Sequence, residues 1–414
     1  MTERLTSAAG IAVLIFLAWL MSENRRRIDW RLVAIAIGLQ FALALLVLRT
    51  AFGQHFFEAV RAAFNLVTRA AGEGSHFVFG ALDQVIVFNP GAVSGAEGPF
   101  VLNAVLAFQV LPVVIVVACL SAMLYHLRII QGIVRALAWL MRRTLRTSGA
   151  ETFAAAIQIF LGIEGMPAIK GYLARMTRSE LATVTTAFMA GVAADVMVIY
   201  ASFGAQPGHL LAASIMSAPA AILFAKIFIP ETETPATLGA APIEVPVESK
   251  NIIDAAARGA SDGLTLALNI GALLIAFVSL VFLLNGACTA VFGLSFSELM
   301  GWAFRPFAFL MGVPAADVPE VARLLGTKSV LNEFIAYTDM QTMIAAGELQ
   351  PRSVMIATYA LCGFANPGSL GILIACMNGL IPERRAELAR IGLVALVAGT
   401  FATFTTACIA GVIG

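Results

Sequence analysis

Charge is what this sequence has least of. Only 12% of its 414 residues are Asp, Glu, Lys or Arg, where a soluble domain carries about 25%, and that deficit excludes an ordinary soluble enzyme. The 26 basic and 25 acidic residues leave a formal net charge of +1, so no basic surface for nucleic acid and no acidic tail is on offer. Cysteine is scarce as well. Cys119, Cys288, Cys362, Cys376 and Cys408 stand singly, without a Cys-x-x-Cys pair, which excludes a disulfide or zinc framework and leaves apolar packing. The four histidines, His55, His76, His126 and His209, fall near segment ends or in loops, and Asp195 has no second aspartate at comparable depth, since Asp339 lies near a segment end. A membrane-embedded hydrolase would need such a catalytic pair, so the chain is expected not to be an enzyme.

What the sequence does hold is apolar length: 60% of its residues are hydrophobic. Apolar runs near 7–22, 32–51, 97–125, 181–202, 208–228, 264–290, 353–380 and 386–412 give eight candidates for a helix of about 20 residues crossing the hydrocarbon. Barrel strands would alternate apolar and polar residues, which these runs do not. The expected class is therefore an all-α polytopic membrane protein with eight transmembrane helices. The first run leads into Glu23-Asn24-Arg25-Arg26-Arg27 rather than a small-residue cleavage site, so it is expected to stay as a helix. Arg25, Arg26, Arg27 and Arg31, with Arg128, Arg135, Arg142, Arg143 and Arg146, fall on one side of such a layout. The positive-inside bias makes that side cytoplasmic. Both termini are then periplasmic and the location is a bacterial inner membrane.

Residues 126–143 alternate basic and apolar faces at helical spacing, as an interfacial helix does. Residues 231–250 carry three prolines and four glutamates without a helical period and are expected to be a cytoplasmic linker. Segments 149–175 and 319–346 are too interrupted by polar residues to be plain spans, and each precedes two clear spans, the two units entering from opposite sides. That pattern points to inverted repeats with re-entrant hairpins, as in secondary transporters. The chain divides accordingly into scaffold and interfacial helices over 1–148, a first transport repeat over 149–230, linker, interfacial helix and scaffold span over 231–318, and a second repeat over 319–414.

Ionisable groups at membrane depth are functional candidates. Glu164 lies in Gly162-Ile163-Glu164-Gly165-Met166-Pro167, where a break between apolar arms would line a cavity or, alternatively, lie in water at the interface. Asp195 sits within Ala193-Ala194-Asp195-Val196-Met197 as a proton carrier, a cation ligand or the partner of a buried base such as Lys170 or Lys328. Asn332 and Glu333 lie in a polar stretch with Lys328 and Tyr337. Glu333 either accepts hydrogen bonds from vicinal hydroxyls or forms an ion pair with Lys328. Phe364-Ala365-Asn366-Pro367-Gly368-Ser369 should interrupt the span 353–380, offering backbone groups, Asn366 and Ser369 to a ligand, or should merely kink it.

Six strings in order resemble the bacterial concentrative nucleoside transporters: Phe108-Gln109-Val110-Leu111-Pro112, Thr147-Ser148-Gly149-Ala150-Glu151, Met176-Thr177-Arg178-Ser179-Glu180-Leu181, Met216-Ser217-Ala218-Pro219-Ala220, Asn332-Glu333-Phe334-Ile335-Ala336-Tyr337, and residues 357–366 ending in Gly363-Phe364-Ala365-Asn366. The resemblance implies a homotrimer whose protomers have eight spans, two re-entrant hairpins, three interfacial helices and two broken helices, importing nucleosides with sodium or protons by alternating access. It implies that Glu333, Asn366 and Ser369 hold the ribose and that Phe364 lines the site. Asn332, Glu164 and Met197 complete the expected substrate set.

The first hairpin tip departs from the family pattern, having Ile163, Glu164 and Gly165 where the family has Gln, Thr and Glu. The substrate is thus a nucleoside or, alternatively, another ribosylated or nucleobase-like compound. A passive channel is the other alternative. For the ion, the family's Asn is Gln158 here, and Val192 stands near a family hydroxyl. A hard cation needs several oxygens and Val192 offers only its backbone carbonyl, while Asp195 adds a titratable group one turn away. The coupling is therefore expected to use protons or a sodium site rebuilt around Asp195. The expected coupling set is Asp195, Gln158, Leu161, Val192 and Ala193, with any bound sodium at Gln158 and Val192. No other cofactor is expected.

Overall fold

The computed structural model describes residues 2–83, 86–88, 100–102, 105–238 and 249–414, and leaves the side chains of Glu164 and Asp195 outside the described residues. Six of its helices are long and apolar enough to cross a membrane: α1 (Thr2–Leu20), α2 (Trp30–Arg49), α4 (Leu111–His126, reached through a π-helical stretch Val105–Val110), α10 (Pro207–Phe228), α11 (Ile252–Phe292) and α17 (Arg385–Ile413). Between α2 and α4 runs α3 (Ala51–Phe79). The short strands β1 (Ile86–Phe88) and β2 (Phe100–Leu102) come after it, paired antiparallel with Val87 opposite Val101. The span expected at 97–125 is corrected here: Phe100–Leu102 is strand and the helix starts later. A short apolar run does not by itself distinguish strand from helix. The basic amphipathic segment is α5 (Ile129–Leu145), and α12 (Phe296–Leu310) comes after α11.

One pattern then occurs twice. In the first copy α6 (Gly149–Leu161) ends in a 3-10 turn over Gly162–Ile169 and a single-turn helix α7 (Lys170–Leu173). Next comes a helix interrupted at 191–193, made of α8 (Arg178–Ala190) and α9 (Ala194–Ser202), and then α10. In the second copy α13 (Val318–Val330) turns into α14 (Glu333–Ala345), succeeded by α15 (Pro351–Leu361), a break at 362–366, α16 (Pro367–Leu380) and α17. The apolar run at 181–202 is thus two half-helices rather than one continuous span, and 353–380 is interrupted at 362–366 as its Asn-Pro-Gly stretch leads one to expect. With 13 residues each, α6 and α13 reach about 20 Å at 1.5 Å per residue, short of the roughly 30 Å of hydrocarbon.

Local sequence explains the boundaries. Ser148 with Glu151 and Thr177 with Glu180 form reciprocal capping boxes that start α6 and α8. Gly162, at φ 53°, ends α6 in a backbone region that favours glycine. Asn332 starts α14 by accepting from Ile335 N at 3.0 Å, and Asn366 starts α16 by accepting from Ser369 N at 2.9 Å.

The two repeats form the interior. The apolar window of α10 is 89% buried and that of α17 72%, against 17% for α11 and 22% for the span containing α4. α8 packs on both α10 and α17, while α11 packs on α4 and turns Leu268, Ile275, Phe282 and Leu283 outward. Burial of the 41-residue α11 therefore depends on lipid or on further protein.

Candidate functional site

The two breaks and the tips of the two helical turns converge on a cavity of about 230 Å3. It is lined by Gly162, Ile163, Phe188, Ala193, Val196, Asn332, Glu333, Phe334, Phe364, Asn366, Gly368 and Ser369, and closed on one flank by Leu266, Ile270, Leu273, Leu274 and Phe277 of α11. That volume is below the about 300–1,000 Å3 of drug-sized pockets and suits one small molecule. A larger cavity of about 710 Å3, with Arg323, Asp339 and Glu298 in its wall, lies beside it and shares Leu274.

Glu333 is the polar centre. It is the first residue of α14, 1% exposed, and both carboxylate oxygens are engaged. Tyr200 Oη donates to Oε1 at 3.0 Å and Asn366 Nδ2 donates to Oε2 at 2.6 Å. The N-termini of α9, α14 and α16 all open at this cavity through Ala193, Asn332 and Asn366, and helix N-termini favour negative charge. A buried carboxylate is thereby fixed in orientation with lone pairs left for further donors, which is the arrangement that captures hydroxyls.

The rest of the cavity is mostly apolar. Phe364 and Phe188 put their ring centroids 5.5 Å apart at an interplanar angle of 32°, and Ile163, Val196 and Phe277 complete this wall. A few polar groups around Glu333 thus sit in a cavity otherwise walled by flat and branched apolar groups.

Six sequence-selected residues line the cavity together: Asn332, Glu333, Phe364, Asn366, Ser369 and Ala193. Met197 is buried in the surrounding core and does not line it. The backbone of Glu164 runs in the 3-10 turn and that of Asp195 in the first turn of α9. Lys328 forms no ion pair with Glu333. Its ammonium donates to Ala360 O at 2.8 Å and Thr403 Oγ1 at 3.0 Å, so neutral partners replace the simple pair that the sequence allows. Tyr200 is a site residue that sequence reasoning misses. Its signal is to be one of only five tyrosines and to lie in an apolar run, where a buried hydroxyl requires a partner.

Gln158, Leu161 and Val192 do not line the cavity. Gln158 Nε2 donates to Val184 O at 3.2 Å, while its Oε1 is buried and accepts nothing. The carbonyl of Val192, inside the break, accepts from Ser214 Oγ at 2.9 Å. A buried amide oxygen without a hydrogen-bond partner is hard-donor chemistry, one of the several oxygens a hard cation needs.

Models described as Na+ dependent nucleoside transporter N-terminus and C-terminus match residues 9–82 and 209–411, and one described as nucleoside recognition ("Gate") matches 107–207. The chain belongs to the Na+ dependent nucleoside transporter family. It is 39% identical over 410 residues to the uncharacterized transporter YutK of Bacillus subtilis (strain 168), covering 97% of each. It is also 39% identical over 432 residues to mouse solute carrier family 28 member 3, with 99% of this chain covered. The chain spans 59% of the length of that mouse relative.

Among solved structures of this family, CNTnw in an inward-facing substrate-bound state superposes with a TM-score of 0.88 at 36% identity, covering 99% of this chain and 98% of that one. A CNTnw variant in an outward-facing state gives 0.90 at 36% identity, covering 100% and 98%.

Proposed function

We propose that this protein is a secondary active importer of nucleosides, coupled to sodium, in a bacterial inner membrane. The observation that carries the reading is the Glu333 carboxylate, buried at the cavity and held from two sides by Tyr200 and Asn366. A ribose offers the vicinal hydroxyls such an oxygen pair accepts, with Asn332 and Ser369 beside them and Phe364 against the ring. The apolar wall, Ile163, Phe188 and Val196, takes the base by packing. An apolar pocket discriminates weakly between flat ligands, so ribose orients the substrate and several bases are accepted.

Six long helices and two broken ones give eight crossings. The short α6 and α13 with their turns act as the re-entrant hairpins that meet the broken helices. Repeats 149–230 and 319–414 move against the scaffold to give alternating access, and the outward apolar face of α11 supports a homotrimer. Gln158 Oε1 and the main-chain carbonyls of the 191–193 break would hold sodium, which supplies positive charge next to the substrate site when bound. Coupling is a linkage between these adjacent sites, each favouring the state in which the other is filled. Leu161, the last residue of α6, Ala193, within that break, and Asp195, whose backbone runs in the first turn of α9, complete the coupling set.

Uptake of labelled uridine and of a purine nucleoside into proteoliposomes, with sodium and proton gradients imposed separately, tests the reading. Accumulation above equilibrium under the sodium gradient alone is expected. Accumulation only under a proton gradient would transfer the coupling role to Asp195, with Asp195→Asn abolishing it. Equilibration without accumulation would make the protein a channel, and no uptake of either nucleoside would move the substrate to another ribosylated compound.

A further inference from the structure

Lys328 sits in the last turn of α13, fully buried. An ammonium taken out of water loses several kcal/mol of solvation unless it is compensated. Its described partners are all neutral: Ala360 O, Thr403 Oγ1 and the Phe404 ring face, whose centroid lies 5.9 Å away. These satisfy its donors, but none balances its charge. Five positions on in the chain, across the turn between α13 and α14, stands the buried acidic side chain of Glu333, itself held only by the neutral donors Tyr200 and Asn366. Two unlike buried charges are thus fixed on either side of one tip, each hydrogen-bonded to neutral groups and neither touching the other.

That separation matters for binding. A lysine in direct contact would occupy the lone pairs a ligand needs. One held away by Ala360 and Thr403 offsets the carboxylate's charge and leaves its oxygens open. The first repeat has no such lysine at its break: its buried Lys226 pairs with Glu151 and Glu231 at the other end, the Val192 carbonyl within the break accepts from a neutral hydroxyl, Ser214, and the buried Gln158 Oε1 accepts nothing.

We propose that Lys328 is a positioning residue for ribose recognition, a tethered internal cation that serves as the fixed counter-charge of Glu333 in the second repeat, while the first repeat takes its cation from solution. The inference rests on the nucleoside reading above. Its consequence is selective: Lys328 acts on the part of the substrate that Glu333 reads and on no other part.

The test compares binding of uridine and 2′,3′-dideoxyuridine to purified protein by calorimetry, in the wild type, Lys328→Met and Thr403→Val. Wild-type protein that binds neither compound sinks the nucleoside reading before any variant is considered. Given wild-type binding, Lys328→Met should lower uridine affinity about tenfold while dideoxyuridine affinity stays nearly constant, because a charge-assisted contact to the hydroxyls is weakened. Thr403→Val keeps the charge but frees one anchor and should lower the same ribose preference by a smaller factor. In Lys328→Ala, added methylammonium should restore part of the lost uridine affinity.

Equal loss for both compounds in Lys328→Met would make the residue a structural pin and overturn the proposal, as would an unchanged preference. If Lys328→Met does not fold, Thr403→Val decides alone, and a wild-type ribose preference there overturns the proposal.

Discussion

Asn366 Nδ2 donates to Glu333 Oε2 at 2.6 Å, joining the start of α16 to the start of α14. The same Asn366 side chain accepts from Ser369 N through Oδ1, so a single amide ties the break in the broken helix to the carboxylate. Glu333→Gln keeps the shape but removes the charge and replaces one acceptor oxygen by a donor, which stands unpaired against the Asn366 amide or turns the Tyr200 hydroxyl from donor to acceptor. Uridine affinity is expected to fall about tenfold or more, the scale of a lost charge-assisted bond plus an unpaired group. Isothermal titration reads this, and wild-type affinity in Glu333→Gln would remove the ribose assignment.

Tyr200 and Tyr337 stack with centroids 4.3 Å apart, yet their hydroxyls do different work. Tyr200 donates to Glu333 and Tyr337 donates to the Thr358 carbonyl at 2.9 Å. Tyr200→Phe should weaken uridine binding severalfold, corresponding to about 1 kcal/mol, with a small change in melting temperature. Tyr337→Phe should leave binding intact and lower the melting temperature, because a buried carbonyl loses its donor. Equal effects of the two variants on affinity would contradict the assignment of Tyr200 to the site.

The features legible in the sequence are local ones. Asn366-Pro367-Gly368 announces the break between α15 and α16, because proline removes a donor and asparagine caps the helix that starts there. The break at 191–193 has only Gly191 and no proline, so residues 181–202 read as one continuous run. Phe100–Leu102 is as apolar as the helix after it, and periodicity cannot separate a three-residue strand from a helix start. Glu333 and Asn366 are recognisable as polar residues at membrane depth. That Tyr200 is the second donor to Glu333, 133 residues away, is tertiary information that no spacing carries. For the same reason the sequence suggests a near neighbour as the partner of Lys328 and gives no sign of Thr403.

Gly363, in the break between α15 and α16, meets the end of α8. A Cβ there would stand 2.6 Å from Thr403 Cγ2, 2.9 Å from Ala190 O and 3.0 Å from Met189 O. The two oxygens belong to the end of α8, in the first repeat, and backbone cannot yield as a side-chain end does. Gly363→Ala is therefore expected to push the two repeats apart, at a cost of about 1–3 kcal/mol for overpacking. Thermal unfolding in detergent should show a lowered midpoint, and adding Thr403→Ser should recover only part of it, since the backbone oxygens remain. Full recovery would mean that the repeats do not meet there.

Lys226 of α10 gathers the other end of the first repeat. Its ammonium lies 2.8 Å from Glu151 Oε2 and 3.1 Å from Glu231 Oε2, and donates to Ser179 Oγ at 3.1 Å. Glu151 belongs to the capping box of α6, and Ser148 of that box donates to Glu180 in the capping box of α8. One buried cation therefore fastens the starts of α6 and α8 to the end of α10. Lys226→Met leaves Glu151, 1% exposed in its side chain, as an uncompensated buried carboxylate, and breaking such a pair destabilises by about 3–5 kcal/mol. Thermal unfolding should report a large loss, and Lys226→Met combined with Glu151→Gln should regain much of it because the orphaned charge is gone. A double variant no more stable than Lys226→Met alone would show that Lys226 acts by packing rather than by charge.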